Sequence, residues 1–432
     1  MLIFMLIVSI GVTTFIIMNR SRKKGANTFT SLLFSIMFFY MIIPLFLLIN
    51  EEEMSQYTDL QIYLYDYNTS KLFFYQVIVL VFIMIFYLIY NRTINRMSNS
   101  KTGFESNTFV IIKYFKLVGW ISLIIGGISF ILFLGSLGGV RQALAISELA
   151  RSFNTQLTEF MPYYASLLII PARLITLVPI FFMTVYLFQP ENKRYLIIMI
   201  CTFPLAVIFY LFNAGRAPLI AYLLCFLIPI LKKRIKYPWP IVILTGFVSL
   251  PLLDILDSIF LYFSTGVWIE YSTNYSSYLY QFSFPYKNLI NSLDIITASG
   301  IRYGQDFITS IISFIPGINF SISYDVTTQY FLGENWKSLG GIPNDLITFS
   351  IIEFSLLGVV LFSYLLGITL AKIDFKLSKW ESNSAYILVI SSINILLFLF
   401  VQAADIQPLV RSFLLIALVI GVLISSRKVK SK

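Results

Sequence analysis

Residues 72–90 read LFFYQVIVLVFIMIFYLIY, nineteen positions without a single charge. A helix rises about 1.5 Å per residue, so a run of this length matches the roughly 30 Å hydrocarbon core of a bilayer. Lys71 stands before it and Arg92 just after it, as expected for a helix that crosses a membrane and ends in water. Working outward, the same reading finds ten further runs. Those on the amino-terminal side are Met1–Met18 and Thr30–Ile49. The others are Leu117–Leu137, Tyr163–Leu187, Tyr195–Asn213, Ala217–Leu231, Pro240–Tyr262, Leu346–Ala371, Ser384–Ala403 and Leu409–Ser425. The chain is 58% apolar and only 12% charged, with a mean hydropathy of +0.83, and a water-soluble core does not absorb that much apolar surface. The expected fold class is an all-α polytopic membrane protein of about eleven transmembrane helices. The first run is expected to be a retained span, because no basic region precedes it and no small-residue cleavage site follows.

The net charge of +10 reads as topology once each cation is assigned to a loop. Alternate loops are basic: with the segment after the first span inside, the inner loops hold 22 of the 31 Lys and Arg. Arg20, Arg22, Lys23 and Lys24 form one such cluster, and Lys232, Lys233, Arg234 and Lys236 another. This places the amino terminus outside and the carboxyl terminus inside, and it makes nucleic acid an unneeded explanation of the charge. Three parts follow: spans one to eight over 1–262, a long outer loop over 263–345, and spans nine to eleven over 346–432.

Several chemistries are excluded outright. There is no histidine, so Ser-His catalysis, imidazole metal ligation and His proton shuttling are absent. The two cysteines, Cys201 and Cys225, fall within apolar runs and do not suggest a disulfide framework. No P-loop, zinc-spaced Cys pair or dinucleotide fingerprint occurs, and no metal or cofactor is expected.

The long loop is dense in aromatic residues, among them Trp268, Tyr278, Tyr303 and Trp336. Some belong to the interfacial belt that Tyr and Trp form at membrane surfaces; the others suit a platform of rings stacked under sugar faces. Short helices are expected near Asn288–Thr297 and Gly304–Phe314, and an amphipathic helix over Gly138–Phe160.

Lysines cluster inside, yet Arg141, Arg151, Arg173, Arg216, Arg302 and Arg411 fall at or near the outer face, where Lys71, Lys287 and Lys337 join them as surface ammoniums. Outer positive charge works against the topology rule and asks for a reason. Guanidinium holds two oxygens of a phosphate at once and stays charged in a poorly hydrated site, so a diphosphate at the membrane surface fits. Arg173 lies inside an apolar run, where a charge costs at least ~2.5 kcal/mol; its other reading is a structural partner of Asp254, Asp257 or Glu353. The carboxylates near the outer half are Asp345, Glu353, Asp325, Asp294, Asp254 and Asp257, any of which suits a general base.

These features together resemble the O-antigen and exopolysaccharide polymerases of the Wzy family. The residues that carry the likeness are Gly138-Gly139-Val140-Arg141, the Gly215-Arg216 turn, Gly340-Gly341-Ile342-Pro343-Asn344-Asp345 at the end of the long loop, and then Glu353 and Gly358. The likeness runs from about Gly138 to Ala371. It implies a GT-C-like architecture in a bacterial cytoplasmic membrane and a substrate of undecaprenyl diphosphate oligosaccharide. It also implies membrane lipids and a chain-length regulator protein as partners, and no nucleic acid. Arg216, Arg302, Asp345 and Glu353 are then the expected catalytic residues, Arg141, Arg151, Arg173 and Arg411 the diphosphate-binding ones, and Trp268, Tyr278, Tyr303 and Trp336 the sugar-binding ones. The related O-antigen ligases rely on a histidine that this chain lacks. Other lipid-linked glycosyltransferases and a polysaccharide flippase or transporter are the competing classes.

Overall fold

Hydrocarbon offers backbone N–H and C=O groups no partner, so long apolar runs satisfy themselves as helices. A computed structural model of the chain describes residues 2–24, 27–49, 69–99, 108–152, 161–212, 216–234, 255, 258, 262, 266–268, 282–312, 322–333, 342–380, 383–404, 406 and 413–424. Among the described residues every regular element is helical. In chain order they are α1 (Leu2–Lys24), α2 (Thr28–Ile49), α3 (Thr69–Asn99), α4 (Thr108–Ser136), α5 (Val140–Ser152), α6 (Tyr163–Phe188), α7 (Arg194–Phe212) and α8 (Arg216–Arg234). Four short helices of the long loop follow: α9 (Phe284–Ile290), α10 (Ser292–Ser299), α11 (Gln305–Ile312) and α12 (Ser323–Leu332). The last three are α13 (Leu346–Leu377), α14 (Ser384–Gln402) and α15 (Leu414–Ile424).

Eight of the described helices are long and apolar enough to cross a membrane: α1, α2, α3, α4, α6, α7, α13 and α14. The chain is a polytopic helical membrane protein. The expected runs at Ala217–Leu231 and Leu409–Ser425 form shorter apolar helices, Pro218–Pro229 and Leu414–Ile424, and the run at Pro240–Tyr262 lies almost wholly outside the described residues. Both cysteines are free thiols, Cys201 exposed and Cys225 buried.

Local chemistry fixes the helix starts. Asn27 opens α2 with a capping box, its side chain accepting from Thr30 N at 3.0 Å while its own N–H reaches the Thr30 hydroxyl at 3.1 Å. Asp345 caps α13 by accepting from Ile347 N at 3.1 Å and Thr348 N at 3.0 Å. At the other end of α13, buried Asp374 takes the first amides of α2, Thr28 N at 3.0 Å and Phe29 N at 3.3 Å, together with the Tyr90 hydroxyl at 2.7 Å. One acid thereby ties α2, α3 and α13 together.

Packing divides into a large cluster built on α2, α3, α13 and α14, a second on α4, α6 and α7, and a small one under the long loop formed by Ile295, Val326, Phe331, Ile342 and Ile352. The expected loop helix near Asn288–Thr297 is two helices, α9 and α10, broken at Asn291, and α12 is an element the sequence pattern does not announce. Lys287 is buried at 4% exposure, with its ammonium 5.9 Å from the Phe284 ring, and is not the surface ammonium the sequence suggests.

Two spans depart from regular α geometry. In α6 the helix tightens after Pro171 into a 3₁₀ turn, Arg173–Thr176, whose Thr176 carbonyl accepts from the Tyr222 hydroxyl at 3.0 Å. A true break lies in α13, where Phe354 (φ −139°, ψ 22°) and Ser355 (φ 55°, ψ −154°) leave helical geometry. There the Ser350 carbonyl folds onto Gly358 so closely that a Cβ would stand 1.7 Å from its oxygen. Backbone on both sides leaves no side chain to move aside. Gly358→Ala is therefore expected to destabilise the protein by about 3 kcal/mol or more. This would be read as loss of the monodisperse species in detergent, against Gly135→Ala, whose Cβ meets nothing within 4 Å.

Candidate functional site

A helix broken inside a membrane exposes carbonyls that something must satisfy. At the α13 break, the long loop does so: Arg302 N donates to Ile352 O at 3.0 Å. The segment that delivers it is a sharp turn. Gly300 (φ 80°) ends α10, Tyr303 sits at φ 54° and Gly304 at φ 80°, where a Cβ would come within 3.1 Å of the Phe354 ring. A non-glycine residue in the left-handed region is strained, so the turn is held in place by its docking into the break.

This docking seats the Arg302 side chain, itself 10% exposed, between two carboxylates. Its Nε donates to Asp306 Oδ1 at 2.7 Å and lies 3.7 Å from Glu353 Oε1. Asp306 is 2% exposed and well satisfied, since its other oxygen accepts from Ser323 N at 2.8 Å and from the Ser323 hydroxyl. Glu353 is fully buried, with the backbone N–H groups of Gly304 and Asp306 and the Arg302 guanidinium facing its carboxylate. One guanidinium thus stands between two buried acids. On the same loop, burial pushes the Asp325 carboxyl up from the usual carboxylate range, opposed by the Ile322 N–H and by Arg302.

Of the residues singled out from the sequence, Arg302 and Glu353 meet. Asp345 lies eight residues before Glu353, about 12 Å along the helix axis, and is held by Tyr40 and the α13 cap. Arg173 stands at the start of the 3₁₀ turn of α6 near Tyr210, and Arg141 is exposed on α5. Arg216 opens α8 and Arg151 lies at the end of α5, with side chains outside the described residues, as is Arg411. Tyr303 is 77% exposed at the turn, and Trp268 is 52% exposed with its ring 6.3 Å from that of Tyr262. Tyr278, Trp336, Asp254 and Asp257 fall outside the described residues. Asp294 pairs instead with Lys71 of α3, both about two-fifths exposed.

Asp306 is the residue the sequence reading passes over. Arg302 lies in the turn before the helix that carries Asp306, so helical spacing does not announce the pair. No family model, curated protein or solved structure matches the chain.

Proposed function

We propose that this protein is a polymerase of undecaprenyl-diphosphate-linked oligosaccharide repeat units, a metal-independent glycosyltransferase of the bacterial cytoplasmic membrane. In this reading it has eleven spans in a GT-C-like arrangement, the amino terminus and loop 263–345 outside and the carboxyl terminus inside. The observation that carries it is the meeting of Arg302 and Glu353, 3.7 Å apart, where loop 263–345 docks into the broken span α13.

The reaction needs one group to take a proton and others to receive an anion. A hydroxyl of the incoming unit attacks the anomeric carbon of the growing chain. Its proton passes to Glu353, and the bond from that carbon to the diphosphate breaks with the electron pair leaving on undecaprenyl diphosphate. Glu353, buried where the loop meets the break with Arg302 beside it, is the carboxylate placed for this. Arg302 has two acids beside it, so its work is to hold Glu353 and Asp306 in place, and the diphosphate falls to Arg216, Arg173, Arg141, Arg151 and Arg411. Because Glu353 is buried, the Tyr303-Gly304 turn lifts to admit the hydroxyl, and the exposed Tyr303 ring meets the sugar.

A transporter is the second reading, favoured by the same break, since discontinuous spans beside a buried carboxylate also serve as substrate and ion sites. Deleting the gene separates the two. The polymerase reading expects surface glycans of a single repeat unit, with attachment intact. A transporter's loss leaves no surface glycan and lipid-linked units on the inner leaflet. Long lipid-linked chains that never reach the surface acceptor would instead make it a ligase.

A further inference from the structure

An amphipathic helix on a protein surface in water turns its polar side out, and α11 does the reverse. Asp306, Thr309 and Ser310 are buried, whereas Phe307, Ile308 and Ile311 are exposed, Ile308 at 62% and Ile311 at 67%. Gln305, its first residue, is the one exposed polar side chain of the helix. The inward side is committed to the loop itself: Asp306 accepts from Arg302 Nε at 2.7 Å and from Ser323 N at 2.8 Å, and the Thr309 hydroxyl donates to Asp306 O at 3.3 Å. The outward side is apolar from Phe307 to Ile311.

What covers that side follows from where α11 lies. The Phe307 ring packs against Phe349 and Phe362, with centroids 6.1 and 6.2 Å away, so α11 runs along α13 across its break. Phe362 stands ten residues before Lys372, the first charged residue after the break, and Lys372 is exposed. That separation is about 15 Å along the helix axis, half of the roughly 30 Å hydrocarbon core. Helix α11 therefore sits at the depth of the bilayer. On the same span Leu357, Leu361 and Leu365 are exposed at helical spacing, the kind of stripe with which a crossing helix meets lipid.

Hydrocarbon admits only backbone whose hydrogen bonds are made within the protein. A helix of eight residues meets that condition, and the turn before it is held through Arg302 N on Ile352 O at 3.0 Å. We propose that α11 is a re-entrant helix of the long loop, dipping into the bilayer beside the break in α13 with Phe307, Ile308 and Ile311 against the acyl chains of membrane lipids. This holds whichever reaction the protein performs. The turn that carries Arg302 enters the bilayer with it.

The test places a spin label at Ile308→Cys or Ile311→Cys in full-length protein carrying Cys201→Ala and Cys225→Ala, reconstituted in phospholipid nanodiscs. Collisions with oxygen, which concentrates in hydrocarbon, are compared with collisions with a water-soluble nickel chelate. Leu357→Cys is the lipid reference, and Glu191→Cys, in the turn between α6 and α7, the aqueous one. Labels at positions 308 and 311 are expected to match Leu357→Cys, reached by oxygen and with nickel collisions lost. Nickel collisions at the level of Glu191→Cys put the face in water and overturn the proposal. Loss of both kinds of collision overturns it too, since the face is then covered by another stretch of this chain or by a second copy. In the natural cysteine background, Ile311→Asp is expected to lose most of the protein from the membrane fraction and Ile311→Leu to keep it, because a charge facing lipid is costly. Parental accumulation of Ile311→Asp also overturns the proposal.

Discussion

Arg302→Lys is expected to lower surface polymer at least about tenfold while the protein still accumulates in the membrane. The reason lies in the geometry of the side chain. Arg302 donates from Nε, part-way along its fork, to Asp306 at 2.7 Å, while the same nitrogen stands 3.7 Å from Glu353. A lysine supplies the charge that two buried acids need, so the fold survives; it has no donor at the Nε position, so Glu353 loses its register. Arg302→Ala is a different experiment, because it leaves both carboxylates buried without a cation and should cost about 3–5 kcal/mol of stability. Lys71→Gln is the control: its ion pair with Asp294 is 40% and 43% exposed, a kind of pair that contributes little, and polymer should stay at the parental level. Pulsed labelling and gel sizing of surface glycan at matched protein level is the measurement. Parental chain length and yield in Arg302→Lys would mean that charge alone suffices, and the positioning role would be gone.

The spans were legible because hydrocarbon imposes one rule on every residue of a run. Leu72–Tyr90 lies within α3, and Ser384–Ala403 matches α14 almost residue for residue. What sequence could not show was where a span stops being a helix. Leu346–Ala371 reads as one uninterrupted apolar run, yet it breaks at Phe354 and Ser355, neither of them a proline or glycine. The break rests on two distant events, the close approach of Ser350 O to Gly358 and the arrival of Arg302 N at Ile352 O. Neither is local, so neither leaves a periodic trace. By contrast, the tightened turn of α6 follows a local signal, Pro171, and holds the half-buried Arg173.

The site was legible to the same extent. Arg302 and Glu353 stood out as charges near apolar segments, which is a local property. That they pair depends on fifty intervening residues and their turns. Asp345 stood out for the same reason but proves to be committed to capping, with Tyr40 as its partner from the second span. Tyr40 gave no warning, being one aromatic residue in an apolar run.

Glu353→Gln is the substitution with the largest expected effect, and it should move activity and stability in different directions. Glutamine keeps the shape of the side chain and removes its charge. Arg302 then keeps Asp306 as its buried ion-pair partner, and the unfavourable burial of a second carboxylate charge disappears. The thermal midpoint should hold or rise. Polymer formation should fall by about 10²–10⁴-fold, since an amide accepts no proton from the attacking hydroxyl. A residue that merely braced the helix break would show the opposite pattern, with lost stability and lost activity together. The surface product adds a second readout: single repeat units on the surface of cells carrying Glu353→Gln agree with a blocked transfer step. A bare surface would point to a carboxylate that moves substrate or ions across the membrane. If Glu353→Gln cells make polymer of parental length and amount, this carboxylate is not the base, and the break in α13 serves some other purpose.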